Sequence, residues 1–256
     1  MENNWDRIWK SDANRVLTIG PSTRSRCRVM RRLVVAFCPT GGRVLDVGCG
    51  SGTLLSVLAR DKKYAELTGS DISEAALVEA RGSCPSCRFV RADGKEWIAG
   101  APFDLITCMA TLDVIEDDDS VIAASASMLH AGGYFIAAVQ HRVSYWTILD
   151  DTRNFRRYER EDLIEKCRRA GLRPVKLFTW GWPLYQLYYR MLVHIHGYNL
   201  SGYDASVETE RMPRRFSRIR QIGSRCLAEA LYYFLMGDDL FIRSGRGRWL
   251  FGVFQK

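Results

Sequence analysis

Short, nearly continuous apolar runs alternate along this chain with longer stretches in which apolar residues return every three or four positions. Val44-Leu45-Asp46-Val47 is the first such run. It enters a turn with glycine at every second position, Gly48-Cys49-Gly50-Ser51-Gly52, and a helical pattern from Thr53 to Arg60 follows at once. The residues from Ala65 to Asp71 read as a second strand ending in an acid, and Ser73 is placed to cap a helix running through Ala80. Cys87 to Arg91 reads as a third strand. Phe103 to Met109 reads as a fourth, apolar enough to be buried on both faces. Asp119 to Leu129 reads as a helix closed by Gly132-Gly133, and Tyr134 to Val139 as a fifth strand. Strand and helix alternate through 43–139, which predicts a parallel sheet with helices on both faces. Ligands of such sheets bind outside the carboxyl ends of the strands, where Asp46, Asp71, Asp93 and Ala110 all fall.

The flanks follow other patterns. Trp5 to Trp9 could start a short helix. Ser22 to Phe37 reads as a longer one, with Val29, Leu33 and Phe37 on one face and Arg24, Arg26, Arg28, Arg31 and Arg32 crowding the rest. Pro39 and Gly41-Gly42 end it. Beyond the fifth strand, Arg156-Arg157-Tyr158 leads into a helix from Arg160 to Ala170, and Leu172 to Thr179 reads as a sixth strand. Arg248 to Gln255 reads as the last. Between these two strands lie roughly 70 residues, far more than an ordinary connection. They hold an apolar run from Leu184 to Val193, a polar loop near 197–210, and a helix pattern from Arg214 to Met236. Arg211, Arg214, Arg215, Arg218, Arg220 and Arg225, at and just before its start, fall within a run from 211 to 225 that contains no acid. It reads either as a lid packed on the sheet or as a basic amphipathic segment in peripheral contact with an anionic membrane.

Composition narrows the picture. A chain of 256 residues with 47% apolar content is one large domain, or a domain with an appendage, around a real core. The first ten residues do not read as a signal peptide, and no run of about 18 apolar residues suggests a membrane span. The eight cysteines sit mostly inside apolar patterns, which suits buried thiols in a reducing cytoplasm, so the expected location is cytoplasmic. Cys84-Pro85-Ser86-Cys87 is the one C-x-x-C; a zinc site needs a second pair, so no metal is expected. Charge is uneven. Residues 1–140 carry 16 Lys+Arg against 17 Asp+Glu, and residues 141–256 carry 21 against 12. The whole positive excess lies in the C-terminal half, which suggests an acidic substrate, an anionic surface or nucleic acid as its partner.

The glycine turn carries the chemistry. A dinucleotide fingerprint would need a third glycine where Thr53 stands, and a phosphate-binding P-loop would need a lysine after Gly52. Asp46 at the strand end would repel phosphate and welcome an ammonium, which points to a nucleotide-like ligand carrying positive charge. Asp71, at the end of the second strand, is placed to accept bonds from ribose hydroxyls. What remains, Asp46, Gly48, Gly50 and Gly52 as D-x-G-x-G-x-G, resembles motif I of the class I S-adenosylmethionine-dependent methyltransferases. The resemblance covers residues 42–142. It is nearest to small-molecule O-methyltransferases of the ubiquinone-biosynthesis type, through Thr107-Cys108-Met109, Leu112-Asp113-Val114-Ile115 and Gln140-His141-Arg142.

The resemblance implies a Rossmann-like α/β fold, a seven-stranded, mostly parallel sheet with helices on both faces; the helical insert before the last strand is read from the length and pattern of that stretch, and the family core does not predict it. The expected division is an N-terminal helical segment over the active site (1–40), as in the resembled family, a cofactor-binding core (41–180), the insert (181–240) and a final strand of the core (241–256). S-adenosylmethionine is the implied cofactor, held by Asp46, Gly48, Cys49, Gly50, Gly52, Asp71, Ile72, Asp93, Gly94 and Ala110, with Asp93 on the adenine amino group. Many relatives carry an acid–histidine pair after the fourth strand. Here it is Asp113-Val114, so no base carries over to that position. The candidate bases are His141, then Asp113 and Tyr158. The expected reaction is methyl transfer to a hydroxyl or amine of a hydrophobic or aromatic small molecule. The charge split offers nucleic-acid methylation as a rival, against which stands the lack of any recognisable RNA-binding module. A non-catalytic cofactor-binding partner protein is the other rival, and the intact motif stands against it.

Overall fold

The structure, a computed structural model, describes residues 4–10, 20–142, 156–196 and 227–256. Helices α1 (Asn4–Lys10) and α2 (Pro21–Phe37) precede β1 (Arg43–Val47). Then follow α3 (Thr53–Ala59), β2 (Glu66–Asp71), α4 (Glu74–Ser83), β3 (Arg88–Arg91), β4 (Phe103–Met109), α5 (Asp118–Ser127) and β5 (Leu129–Gln140). The C-terminal part holds α6 (Arg160–Arg169), β6 (Arg173–Trp180), α7 (Leu184–His196), α8 (227–235), a 3-10 helix (Met236–Ser244) and β7 (Trp249–Gln255).

The seven strands form one sheet in the order β3-β2-β1-β4-β5-β7-β6. β1 to β5 pair in parallel, and β7 runs antiparallel to both β5 and β6. Alternate residues of each strand feed two cores. On one face Val44, Leu105, Ile136, Phe251 and Val253 meet α2, α3 and α7. On the other Leu45, Ile106, Cys108, Ala137 and Leu250 meet α5 and α6. The apolar runs are therefore what their composition demands, strands buried on both sides.

Three elements differ from the sequence pattern. β5 begins at Leu129, which pairs with Phe103, so α5 stops at Ser127. Gly132-Gly133 lies inside the strand, where Gly133 O accepts from Lys256 N (3.0 Å) and Gly132 N donates to Lys256 O (3.1 Å), rather than closing a helix. Second, Cys84 and Cys87 form a disulfide instead of remaining thiols, because a tight turn closed by Cys87 N–H on Cys84 O (3.0 Å) brings them together. The free cysteines among the described residues, Cys27, Cys38, Cys49, Cys108 and Cys167, are all buried thiols. Third, the arginines of α2 are anchors rather than a solvated face. Arg28 and Arg32 meet Asp239, Arg24 meets Glu229, and Arg31 meets Asp61.

The pairs with Glu229 and Asp239 tie the C-terminal end of the insert to the N-terminal helix. Asp238, fully buried, accepts from the Leu184 and Tyr185 backbone N–H groups (2.8 Å each) and so caps the start of α7. Asp239 also accepts from Trp180 Nε1 (3.1 Å). Tyr185, Tyr188 and Leu235 join the core beneath α2. The insert thus enters and leaves at one acid pair. The polar loop near 197–210 and the arginine run from 211 to 225 lie outside the described residues. No helix among the described residues is long and apolar enough to cross a membrane.

Candidate active site

The glycine turn is held by its neighbours in the sheet. Gly48 and Cys49 donate to Ser70 O (2.8 and 2.9 Å), and Gly50 N donates to Asp71 Oδ2 (2.9 Å). Asp71 Oδ1 takes the Ser73 N–H (2.9 Å). The acid at the end of β2 therefore first ties the turn to α4; each carboxylate oxygen keeps a lone pair for a further donor. No side chain caps α3 at Gly52, so its N-terminal dipole faces the turn.

The glycines answer to the protein as well as to a ligand. A Cβ on Gly48 would fall 2.3 Å from the Thr111 side chain, and one on Gly52 would fall 3.1 Å from Ala80 and Phe89. At Gly50, where φ is +53°, a Cβ would fall 2.8 Å from the Trp9 ring. α1 puts that ring there: Asp6, buried at the start of α4, accepts from Ser73 Oγ (2.7 Å) and Ala75 N (3.1 Å). Ser73 in turn accepts from Ala76 N, the cap that its position predicts.

The other cofactor candidates gather at the same edge. Asp46 is buried and accepts from Thr107 Oγ1 (2.7 Å), which joins β1 to β4 below the turn. Burial pushes its pKa up to about 7 against the Thr107 bond, and Asp71 adds to the rise. Burial likewise raises Asp71, opposed by its backbone donors. Cys49 is buried with Sγ toward Gly50 O (3.6 Å). Ile72 is 39% exposed, an apolar surface at the strand end of the kind a flat base covers. Asp93 is half-exposed, with Lys95 Nζ 4.0 Å away, and Gly94 packs against Val47 and Val121. Ala110 adopts φ +57° at the end of β4 while its N–H is held by Ala138 O (2.8 Å). A left-handed non-glycine residue costs about 1–3 kcal/mol and persists where its surroundings hold it. These residues fit an adenosyl ligand: a backbone cradle, a ribose-reaching acid, an exposed apolar edge and a half-exposed acid for the base.

Across the sheet lie the three candidate bases, and the structure separates them. Tyr158 is removed. Its hydroxyl is buried, hydrogen-bonded to Asp118 Oδ2 (2.6 Å), and burial followed by that acid drives its pKa far up. Asp118 also holds Arg156 and Lys166, so this cluster fastens the chain after β5 to α5. Asp113 is buried; Oδ1 accepts from Gln140 N (2.7 Å), and burial pushes its pKa up to about 7. His141 is partly exposed. Its Nδ1 lies 2.9 Å from Gly247 O, and its backbone N–H bonds Arg248 O (2.8 Å). A carbonyl only accepts, so Nδ1 carries the proton and Nε2 keeps a lone pair. Burial lowers the His141 pKa, partly offset by the Gly247 bond; Arg160 lowers it further while Glu159 and Glu161 raise it. At neutral pH this imidazole is uncharged and basic at Nε2.

Sequence reasoning missed four residues here. Trp9 was read only as part of a short helix. Arg26, whose guanidinium lies 4.2 Å over the Trp249 ring, was read as one surface arginine among five. Asp238 and Asp239 drew no attention, since no local pattern marks them.

The chain is similar to known methyltransferases. Residues 44–133 match the family described as methyltransferase domain. Over 169 residues the chain is 31% identical to a ubiquinone biosynthesis O-methyltransferase of Aromatoleum aromaticum, covering 58% of this chain and 71% of that relative. It is 36% identical over 97 residues to a trans-aconitate 2-methyltransferase of Escherichia coli, 38% of either chain. An S-adenosylmethionine-dependent methyltransferase from Thermotoga maritima aligns over 99% of this chain and 100% of its own, with TM-score 0.60 and 16% identity, a likeness of fold.

Proposed function

The chain belongs to the class I S-adenosylmethionine-dependent methyltransferases, and on that premise we propose that it methylates a hydroxyl of a hydrophobic or aromatic small molecule, an amine being the alternative acceptor. S-adenosylmethionine is the cofactor, and when bound it supplies an electrophilic methyl on a sulfonium. The residues that would hold it are the glycine turn, Asp71, Ile72 and Asp93. The sulfonium charge disappears in the reaction, so the chain's task is to align the nucleophile and keep water out.

One observation carries the choice of a hydroxyl. His141 has Nδ1 committed to Gly247 and Nε2 available, at the carboxyl end of the sheet beyond β5. A base in that state takes the proton of an attacking hydroxyl. Asp113, one segment away with a pKa near neutrality, is the second candidate. Two other features support a small acceptor. Both sequence relatives are named for small-molecule methylation. The described ends of the insert pack on α2 through Tyr185, Tyr188 and Leu235, as a pocket lid would. The test is a screen of phenols, catechols, hydroxy acids and amines with methyl-labelled S-adenosylmethionine, with tRNA included. Label appearing on an oxygen of a small acceptor supports the reading. Label appearing only on tRNA, or on nothing while S-adenosylhomocysteine binds tightly, overturns it.

A further inference from the structure

Three buried polar atoms converge near the end of β5 without partners among the described residues: Arg26 Nε, Trp249 Nε1 and Asp113 Oδ2. Each belongs to a different element. Arg26 comes down from α2, with Nη2 bonded to Thr23 Oγ1 (3.0 Å) and its guanidinium stacked on the Trp249 ring. Trp249 opens β7, 5% exposed, and its Cα pairs with Gln140 in the sheet. Asp113, 3% exposed, is fixed by its other oxygen on the Gln140 N–H. Gln140 is thus the common neighbour, and His141 is the next residue. The charge of Arg26 acts on Asp113, yet no ion pair joins them among the described residues.

Buried polar atoms in native proteins are paired, so a group of them left open at one place calls for an outside partner. Two of the three are N–H donors, one on a permanent cation stacked on an aromatic face, which suits a planar anion. The third is a carboxyl oxygen that needs a donor. We infer that Arg26 and Trp249 bind a carboxylate carried by the acceptor, and that Asp113 Oδ2 accepts a hydrogen bond from a neighbouring hydroxyl. The acceptor is then a hydroxy carboxylic acid. This rests on the small-molecule reading above and adds the chemical class of the substrate.

Calorimetry on the full chain loaded with S-adenosylhomocysteine tests it, with hydroxyaryl and hydroxyalkyl carboxylates as probes against their primary amides. The wild type should bind one or more of the acids about tenfold or more tighter than the amide. Trp249→Phe keeps the ring and loses only the N–H, and Arg26→Gln keeps most of the stem. Each should erase most of that preference while S-adenosylhomocysteine binds as before. If no acid is preferred by the wild type, or if both variants keep the full preference, the three atoms serve buried water and the inference is wrong. Loss of S-adenosylhomocysteine binding by the wild type is a separate result, since it strikes the methyltransferase reading itself.

Discussion

The two ends of the catalytic edge are built in opposite ways. The cofactor end, around β1 and β2, is local. Asp46 through Thr53 is one continuous stretch, and the acid that ties it, Asp71, lies at the end of the next strand. The acceptor end, around β5 and β7, is assembled from afar: Arg26, Asp113 and His141 come from separate segments and Gly247 and Trp249 from a fourth, the His141–Gly247 contact spanning 106 positions. The first end is set by backbone conformation, and the second by side chains that several elements deliver. A local cradle suits a ligand that never changes, and an assembled pocket can change one element at a time to suit another acceptor. The cofactor end should therefore fail through backbone changes, and the acceptor end through single side chains that leave the cofactor bound.

The largest effect that would sharpen this contrast is expected from Gly50→Val. The residue would bring a Cβ within 2.8 Å of the Trp9 ring at φ +53°. Affinity for S-adenosylmethionine should fall about a hundredfold or more, on the order of 2.7 kcal/mol. Pairing it with Trp9→Ala relieves the clash but not the backbone strain, so recovery should be partial. Full recovery would mean that the turn tolerates a side chain and that α1 alone sets the limit.

His141→Ala should come next. It should lower kcat about a hundredfold while the affinity for S-adenosylhomocysteine stays put. In the wild type the rate should rise with pH through a value below 6.5, since burial lowers this pKa, and be flat by neutrality. The variant should lose that limb. Near-normal turnover in His141→Ala would pass the role of base to Asp113 or leave alignment alone.

Asp71→Ala should cost about tenfold in cofactor affinity, roughly 1.4 kcal/mol, because the Gly50 and Ser73 N–H groups lose their acceptor along with any ribose bond. A 2′-deoxyribose analogue should suffer less. Equal losses for both ligands would leave Asp71 a tie for the turn and nothing more.

The last effect is on stability rather than on binding or rate. Asp46 has a folded pKa of about 7 against 3.8 when free. A raised pKa means that the folded state holds the proton more tightly. The stabilisation is complete below about pH 4 and is lost as pH climbs through about 7. Urea midpoints should decline over that range in the wild type and decline less in Asp46→Asn, whose amide oxygen still accepts from Thr107. Identical profiles would show that Asp46 is not perturbed.

The same contrast explains what could be read from residues alone. The strands of the core follow from contiguous apolar runs, and the Ser73 cap lies within one strand–turn–helix unit, so periodicity and spacing reach them, whereas the Asp71–Gly50 tie joins two successive strands and does not show in either pattern. The open Nε of Arg26 could not be read, because it depends on a tryptophan more than 200 positions away laid beneath it by the β7 register. Tyr158 looked like a base because an arginine–tyrosine segment precedes α6, whereas the fold turns its hydroxyl onto Asp118. The start of β5 was misplaced because Gly132-Gly133 reads as a helix stop, whereas pairing of Leu129 with Phe103 carries the strand past it. In each case a tertiary contact decided what local pattern left open.

Calorimetric titration of S-adenosylhomocysteine into the wild type, Gly50→Val, His141→Ala and Trp249→Phe tests the central claim most directly. The account predicts tight binding to the wild type, a loss confined to Gly50→Val, and affinities within about twofold of wild type for the other two. Weakened binding in all three variants alike would contradict it, for the cofactor and acceptor ends would then be one site that no single side chain can divide.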